Sequence, residues 1–307
     1  MQEKIEILSV SLLEQYHPLV SELRDLSASL GIEFGWHYLL DLTWMLGQME
    51  LGSGIRVMDA GAGTGIMQWF LARKGVEVFS VDRLDRAYLP LRYRLLFNVQ
   101  GLRKGDLKPM VRSIWTQDDH ERKPLQKMAV NLRDVLRAGL VSRAAGSVLI
   151  YNQDLGDMPE IPDSYLDYVV AVSSLEHNSP QNLKLVLEEL IRVLKPGGCL
   201  LATLGAARDQ DWFHKPSRGW CYSESTLRQV FGLAPKVPSN YESYDDLFDE
   251  LRNCAELRGQ LASFYRKSGD NGMPWGVWDP QYQPVGVCKI KKSVSVDEFV
   301  SLGEALA

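Results

Sequence analysis

Residues 55–61, IRVMDAG, are a β-branched run that turns into a loop with glycine at 61, 63 and 65. IMQWFLARKG continues from that loop with an apolar helical face and a closing Gly75. A strand that feeds a helix through a glycine-rich turn is the opening unit of a doubly wound α/β sheet, where the turn brings backbone close to a ligand. The chain then repeats the rhythm. VEVFSVD, SVLIYNQDL, YLDYVVAVSSLEH and CLLATLG read as further buried strands. SPQNLKLVLEELIRVLKPGG reads as a helix with Ser179 as N-cap, Pro180 in its first turn and Leu183, Val186, Leu187, Leu190, Ile191 and Leu194 facing inward. Such alternation predicts a doubly wound, mostly parallel sheet.

Three stretches lie outside this rhythm. Residues 1–50 read as an N-terminal helical extension. In SLLEQYHPLVSELRDLSASLG, Leu12, Leu13, Leu19, Leu23, Leu26 and Leu30 recur at near-helical spacing before a capping Gly31. WHYLLDLTWMLGQM follows as a second amphipathic segment. Residues 84–146 are an insertion after the second strand, longer than an ordinary crossover. It carries a helix over QKMAVNLRDVLRAGL, with Met128, Leu132, Val135, Leu136 and Leu140 on one side, and another over LPLRYRLLFNVQGL. Residues 206–275 hold a helix from Ser223 to Gly232 and a longer acidic one, YDDLFDELRNCAELRGQLASFYRK. QPVGVCKIKK then reads as a late strand. The expected organisation is a domain over 51–292, preceded by 1–50 and followed by a peripheral tail, 293–307.

Composition narrows the classes of function. A chain of 307 residues with 45% hydrophobic content can bury a large core. A net charge of -5 weighs against a general nucleic-acid binder. MQEKIEILSV lacks a basic-then-apolar leader, and no run approaches the ~18 apolar residues of a membrane span, so a cytoplasmic protein is expected. Cys199, Cys221, Cys254 and Cys288 are scattered without metal-ligand spacing, which predicts reduced structural thiols and no metal. The insertion is the exception in charge: residues 83–143 carry 14 Lys or Arg against 6 Asp or Glu. A surplus of this kind attracts an anionic substrate or supports peripheral contact with an anionic membrane surface. Alternatively it is solvated, or pairs with the acidic helix at 242–256.

The candidate ligand site follows from the strand ends. The glycine loop leads into a helix whose N-terminal dipole faces it. Asp82 closes the second strand, where a carboxylate can accept both ribose hydroxyls of a nucleoside. Asp154 closes the third, within reach of an adenine amino group. Each alone suits a plain surface carboxylate; the ordered set of three points to a nucleoside ligand.

These residues resemble the class I S-adenosylmethionine-dependent methyltransferases. VMDAGAGTG is similar to their first motif, VFSVD to their second, NQDLGDMP to the adenine-contacting segment, YVVAVSSLEHN to the fourth-strand motif and LIRVLKPGGCLLAT to the element that follows. The likeness covers about 54–82 and 147–205. It implies a Rossmann-like sheet of seven strands, S-adenosylmethionine as cofactor, and a binding set of Asp59, Gly61, Ala62, Gly63, Gly65, Asp82, Arg83, Asp154, Leu155 and Ser173. The stretches 84–146 and 206–275 depart from the family pattern, so the acceptor is not inherited with the core.

Methyl transfer from a sulfonium is an in-line displacement that gains most from orientation, and a hydroxyl acceptor also needs a base. His177 is the first candidate base and His214 the second; Glu176 is a candidate organiser of loop and substrate. Trp212, Trp220 and Tyr222 are candidate walls for a sugar or an aromatic ring. Trp36, His37 and Tyr38 either cover the cofactor or pack as core. The expected activity is O-methylation of a small polar metabolite. Two rivals remain, a non-catalytic adenosylmethionine-binding module and an NAD-dependent oxidoreductase. The latter requires G-x-G-x-x-G where this loop reads G-x-G-x-G. The NPPY motif of amino-methylating nucleic-acid enzymes is absent, and SSLEHN stands in its place.

Overall fold

The computed structural model describes residues 1–112, 124–138, 143–267, 269 and 271–292. In chain order the sheet strands are β1 (Lys4–Ile7), β2 (Arg56–Ala60), β3 (Glu77–Asp82), β4 (Asn98–Gly101), β5 (Ser147–Asn152), β6 (Leu166–Val172), β7 (Leu194–Ala206), β8 (Trp212–His214), β9 (Gly219–Tyr222) and β10 (Gln283–Ile290). Their order is β1-β10-β7-β6-β2-β3-β5-β4, with the β8–β9 hairpin joined to the end of β7. The six strands from β7 to β4 run parallel, and β10 returns antiparallel between β7 and β1. The doubly wound class therefore stands, as a mixed α/β fold with a mostly parallel sheet. The sheet has ten strands where seven are expected, and β1, β4 and both strands of the hairpin are its shortest. Strands of three or four residues give too short an alternation to read in sequence.

The helices show why some segments hold together and others break. The first leucine pattern splits into α1 (Leu12–Gln15) and α2 (His17–Leu30), because Pro18 starts a helix rather than continuing one. Gly31 ends α2 at φ 63°, and Ile32 donates back to Ser27. α3 (Tyr38–Gly47) packs Leu39, Leu40 and Trp44 into the core. α4 (Met67–Arg73) follows the glycine loop, with Trp69 fully buried. In the insertion, the run read as one helix divides into α5 (Leu91–Leu96) and edge strand β4. Tyr93 of α5 stacks on Trp69 at 4.5 Å and so anchors the insertion to the core. α6 (Pro124–Ala138) is the predicted insertion helix. Asn131 and Asp134 are buried, whereas Met128, Leu132, Val135 and Leu136 face outward. Leu140 and the tail 293–307 lie outside the described residues.

α7 (Pro180–Val193) begins as read, Ser179 accepting from the Asn182 amide, and buries its leucine face on the sheet. α8 (Glu224–Val230) likewise starts on Ser223, with Gly232 at φ 58° beyond its end. The long acidic helix breaks at Cys254 into α9 (Tyr244–Asn253) and α10 (Ala255–Gly259), followed by a 3₁₀ turn at Ser263–Arg266. The Arg252 carbonyl at that break accepts from the Trp278 indole at 2.9 Å, which supplies a partner that a continuous helix would not need. The N-terminal segment read as helical also opens with β1, whose Ile5 and Ile7 are buried against β10.

Four arginines of the insertion are bonded internally. Arg86 is buried and donates to the Ser80 and Tyr151 carbonyls. Arg94 donates to the Lys108 carbonyl, Arg143 to that of Phe97, and Arg103 to Asp106 and the Asn152 carbonyl. These guanidinium groups knit the insertion to β3 and β5. The acidic helix finds its partners elsewhere, Asp245 with Arg208 and Asp249 with Arg252.

Candidate active site

Register brings the carboxyl ends of β2, β3, β5 and β6 to one edge of the sheet. Asp59 pairs with Ser80 and Val170, and Asp82 with Asn152. A cavity of about 540 Å³ opens there, within the usual range for small-molecule sites. All ten residues of the expected binding set border it.

The glycine loop is held from beneath. Gly61 and Ala62 both donate to the Val81 carbonyl, at 2.9 and 3.1 Å, so the loop starts as an extension of the β2–β3 ladder. Gly61 sits at φ 75°, and a Cβ there would overlap the Ser174 side chain. Only glycine meets both conditions. Gly63, at φ 47°, donates to Asp82 Oδ2 at 2.7 Å, while Leu84 donates to Oδ1 at 2.8 Å. Each carboxylate oxygen keeps a further lone pair for a ligand hydroxyl. Two residues absent from the sequence reading complete the support. Buried Gln68 donates to the Gly65 carbonyl at 3.1 Å and accepts from Ser80 Oγ at 2.7 Å. Arg86 reaches the Gly63 carbonyl at 3.4 Å. Burial lowers the Arg86 pKa, opposed by the nearby Asp82, Asp59 and Asp106 carboxylates.

Asp59 is almost fully enclosed, and its Oδ2 has no partner among the described residues. Burial lifts its carboxyl to about 7, against the opposing pull of Arg86. Asp154 is exposed at the end of β5, its Oδ1 held by the Gly156 amide at 2.8 Å. Arg83 is exposed on the rim, and Leu155 lies half-buried beside Asp154.

At the end of β6 the chain turns sharply. Ser173 takes φ 46°, unusual for a residue with a side chain, and is fixed by the Thr203 carbonyl and hydroxyl, each 3.2 Å from its amide. Its hydroxyl donates to Glu176. Glu176 is buried and does not border the cavity; burial raises its pKa. His177 does border it. His177 Nδ1 lies 3.0 Å from the Arg218 carbonyl, which can only accept, so Nδ1 carries a proton and Nε2 is the ring nitrogen not committed to that bond. His214 is brought elsewhere. It is bonded to Ser217 at 2.7 Å, packed 5.2 Å from the Tyr282 ring and absent from the cavity wall. Trp212, Trp220 and Tyr222 are likewise off the wall, because the β8–β9 hairpin folds onto the end of β7.

The roof comes from sequence-distant segments. Phe34 and Tyr38 line it on the N-terminal side, Phe264 and Tyr265 on the other. Glu33 clasps them, accepting from Ser263 N at 2.8 Å and Ser263 Oγ at 2.9 Å, while Trp36 N donates to the Tyr265 hydroxyl at 3.1 Å. Trp36 and His37 are core, as one of the two sequence readings has it, and Tyr38 alone of that trio reaches the cavity.

This arrangement fits a nucleoside carrying a charged amino-acid arm: a carboxylate for the ribose, a glycine cradle, and an unpartnered buried carboxylate behind it. A methyltransferase-domain family model matches residues 37–268, well over half of the chain. Among solved structures, the [4+2]-cyclase SpnF is 17% identical, the match covering 95% of this chain and 100% of that one with a TM-score of 0.46. The 1,6-didemethyltoxoflavin-N1-methyltransferase of Burkholderia thailandensis, with bound 1,6-didemethyltoxoflavin and S-adenosylhomocysteine, is 12% identical over 92% and 86% at a TM-score of 0.42. A putative sarcosine dimethylglycine methyltransferase from Galdieria sulphuraria is 15% identical over 89% and 98% at 0.43. No curated protein matches. The match over residues 37–268 shows that the chain belongs to the class I S-adenosylmethionine-dependent methyltransferases, enzymes of methyl transfer with S-adenosylmethionine as cofactor.

Proposed function

We propose that residues 51–292 form a cytoplasmic transferase unit that methylates a hydroxyl oxygen of a small polar metabolite, a sugar or a related polar or anionic compound. The observation that carries the reading is His177, on the cavity wall with Nδ1 committed to the Arg218 carbonyl and Nε2 left to accept a proton. In this reading Asp82 accepts the ribose hydroxyls, Asp154 and Leu155 meet the adenine, and the loop from Gly61 to Gly65 carries the methionine arm beside Asp59. Arg83 closes the ribose side. S-adenosylmethionine supplies a methyl group whose S–C bond breaks, its electron pair staying on sulfur, as the acceptor's O–C bond forms. His177 takes the acceptor's proton at Nε2. Glu176 organises the turn through Ser173, and His214 has a packing role.

Arg83 is the one Lys or Arg on the cavity wall among the described residues. Aromatic side chains of the roof offer faces on which a sugar or ring can lie. The test is a screen of hydroxylated metabolites by release of S-adenosylhomocysteine, repeated with His177→Ala. Turnover should fall by about 10²-fold or more, with donor affinity within twofold. Full turnover in His177→Ala removes it as the base.

A further inference from the structure

Glu176 lies behind the cavity wall rather than in it. One oxygen accepts the Ser173 hydroxyl; the other, Oε2, has no partner among the described residues although the side chain is only 6% exposed. Ser173 and Tyr38 both face the cavity. A buried carboxylate thus reaches the cavity through the Ser173 hydroxyl dipole. Burial of the carboxylate outweighs the pull of His177 and His37 on it. His37 is already paired with Asp41 at 2.7 Å, and His177 holds the Arg218 carbonyl. The hydroxyls of Tyr38, Tyr222 and Tyr282 and the thiol of Cys221 also feel the Glu176 charge, and their pKa values stand above the ordinary ones, chiefly through burial. Gly219 presses on the side chain from β9: a Cβ there would stand 2.9 Å from Glu176 Cγ. A carboxylate held this way, in strained backbone and without a full partner set, is costly to keep unless something cationic compensates it.

The donor's chemistry says where a cation comes. Its sulfur joins the ribose to the methionine arm, so with Asp82 on the ribose and the glycine loop on the arm, sulfur falls on the wall between them. Ser173 and Tyr38 complete that wall from β6 and from the roof. We propose that Glu176, acting through Ser173, is a positioning residue by which the cavity distinguishes the cationic sulfonium of the donor from the neutral thioether of the product. The inference rests on the cofactor reading of the cavity but uses no acceptor. Methyl transfer then removes the positive charge that Glu176 favours and loosens the product's hold.

Calorimetry of S-adenosylmethionine and S-adenosylhomocysteine binding, without acceptor, tests this in wild type, Glu176→Gln and Ser173→Ala. Glu176→Gln is expected to weaken the sulfonium ligand about tenfold, the equivalent of about 1.4 kcal/mol, and the thioether by less than twofold. Ser173→Ala should move the ratio the same way by a smaller factor. In wild type the preference for the sulfonium should grow with rising pH as Glu176, its pKa raised by burial, ionises, and in Glu176→Gln that growth should vanish. A merely structural role moves both ligands by one factor, and that result overturns the proposal. Should Glu176→Gln fail to fold, a pH-independent ratio in wild type together with equal shifts in Ser173→Ala also overturns it. Wild-type protein that takes up neither ligand breaks the cofactor reading itself, an outcome distinct from a flat ratio.

Discussion

Beneath the cavity, the glycine loop is tied by amides and carbonyls to β3, Gln68 and Arg86, all within a few residues of it in sequence or one strand away. Above it, the roof joins residues 230 positions apart through the side chain of Glu33, which is exposed to solvent. The floor is therefore held by bonds close to the loop, while the roof combines the buried bond from Trp36 to Tyr265 with the exposed Glu33 clasp, which costs little to break. Exposed polar pairs of that kind contribute about 0.2–1 kcal/mol. A donor must enter and a product must leave between these surfaces, and the difference between them assigns the movement to the roof.

The largest effect is expected on the floor. Gly61→Ala forces a left-handed residue to carry a Cβ into Ser174, so donor affinity should drop more than tenfold and the melting temperature should fall. Wild-type affinity in that variant, measured by calorimetry, would break the contrast between floor and roof. Next comes Asp59. Its carboxyl, lifted by burial to about 7, keeps a proton that the unfolded chain has already released. This group's contribution to stability is full below the ordinary carboxylate range near ~4 and is lost as pH rises through about 7. Thermal melts between pH 5 and pH 8 should show that decline, and Asp59→Asn should flatten it. Donor affinity should run the opposite way, rising with pH because a cationic ligand selects the ionised form, and Asp59→Asn should reduce the rise for donor and product alike. The smallest effect belongs to the roof. Glu33→Ala should speed donor dissociation several-fold by stopped-flow fluorescence while equilibrium affinity changes by less than about 1 kcal/mol. An unaltered rate would show that the roof does not gate exchange.

The same contrast explains what could be read from the sequence. The glycine loop, Asp82 and Asp154 were legible because their roles depend on backbone that one strand end dictates. The caps at Ser179, Ser223 and Gly31 were legible for the same reason. Gln68 and Arg86 were not: a glutamine on a helix and one arginine among many acquire a purpose only once the loop carbonyls are in place. Phe264 and Tyr265 needed the fold to bring them opposite Phe34 and Tyr38. The aromatic cluster around His214 was drawn toward the site on composition, but its hairpin pairs at the end of β7 and packs those rings on Tyr282. For the insertion's charge, a bare count does not show which guanidinium groups meet carbonyls, as those of Arg86, Arg94 and Arg143 do. α6 shows the same limit for periodicity: four apolar residues on one side mark a face, not the direction in which it points.

The pairing of β1 with β10 places Lys4 opposite Cys288 and Ile7 opposite Val285. During synthesis the N-terminal strand therefore emerges long before its ladder partner exists, and Ile5 and Ile7 wait uncovered while the parallel strands assemble. Contacts this distant in sequence close late and slowly. The sheet edge sealed by β1 is thus the last part of the molecule to mature, and translation pauses upstream of β10 would leave the nascent chain most exposed to misassociation.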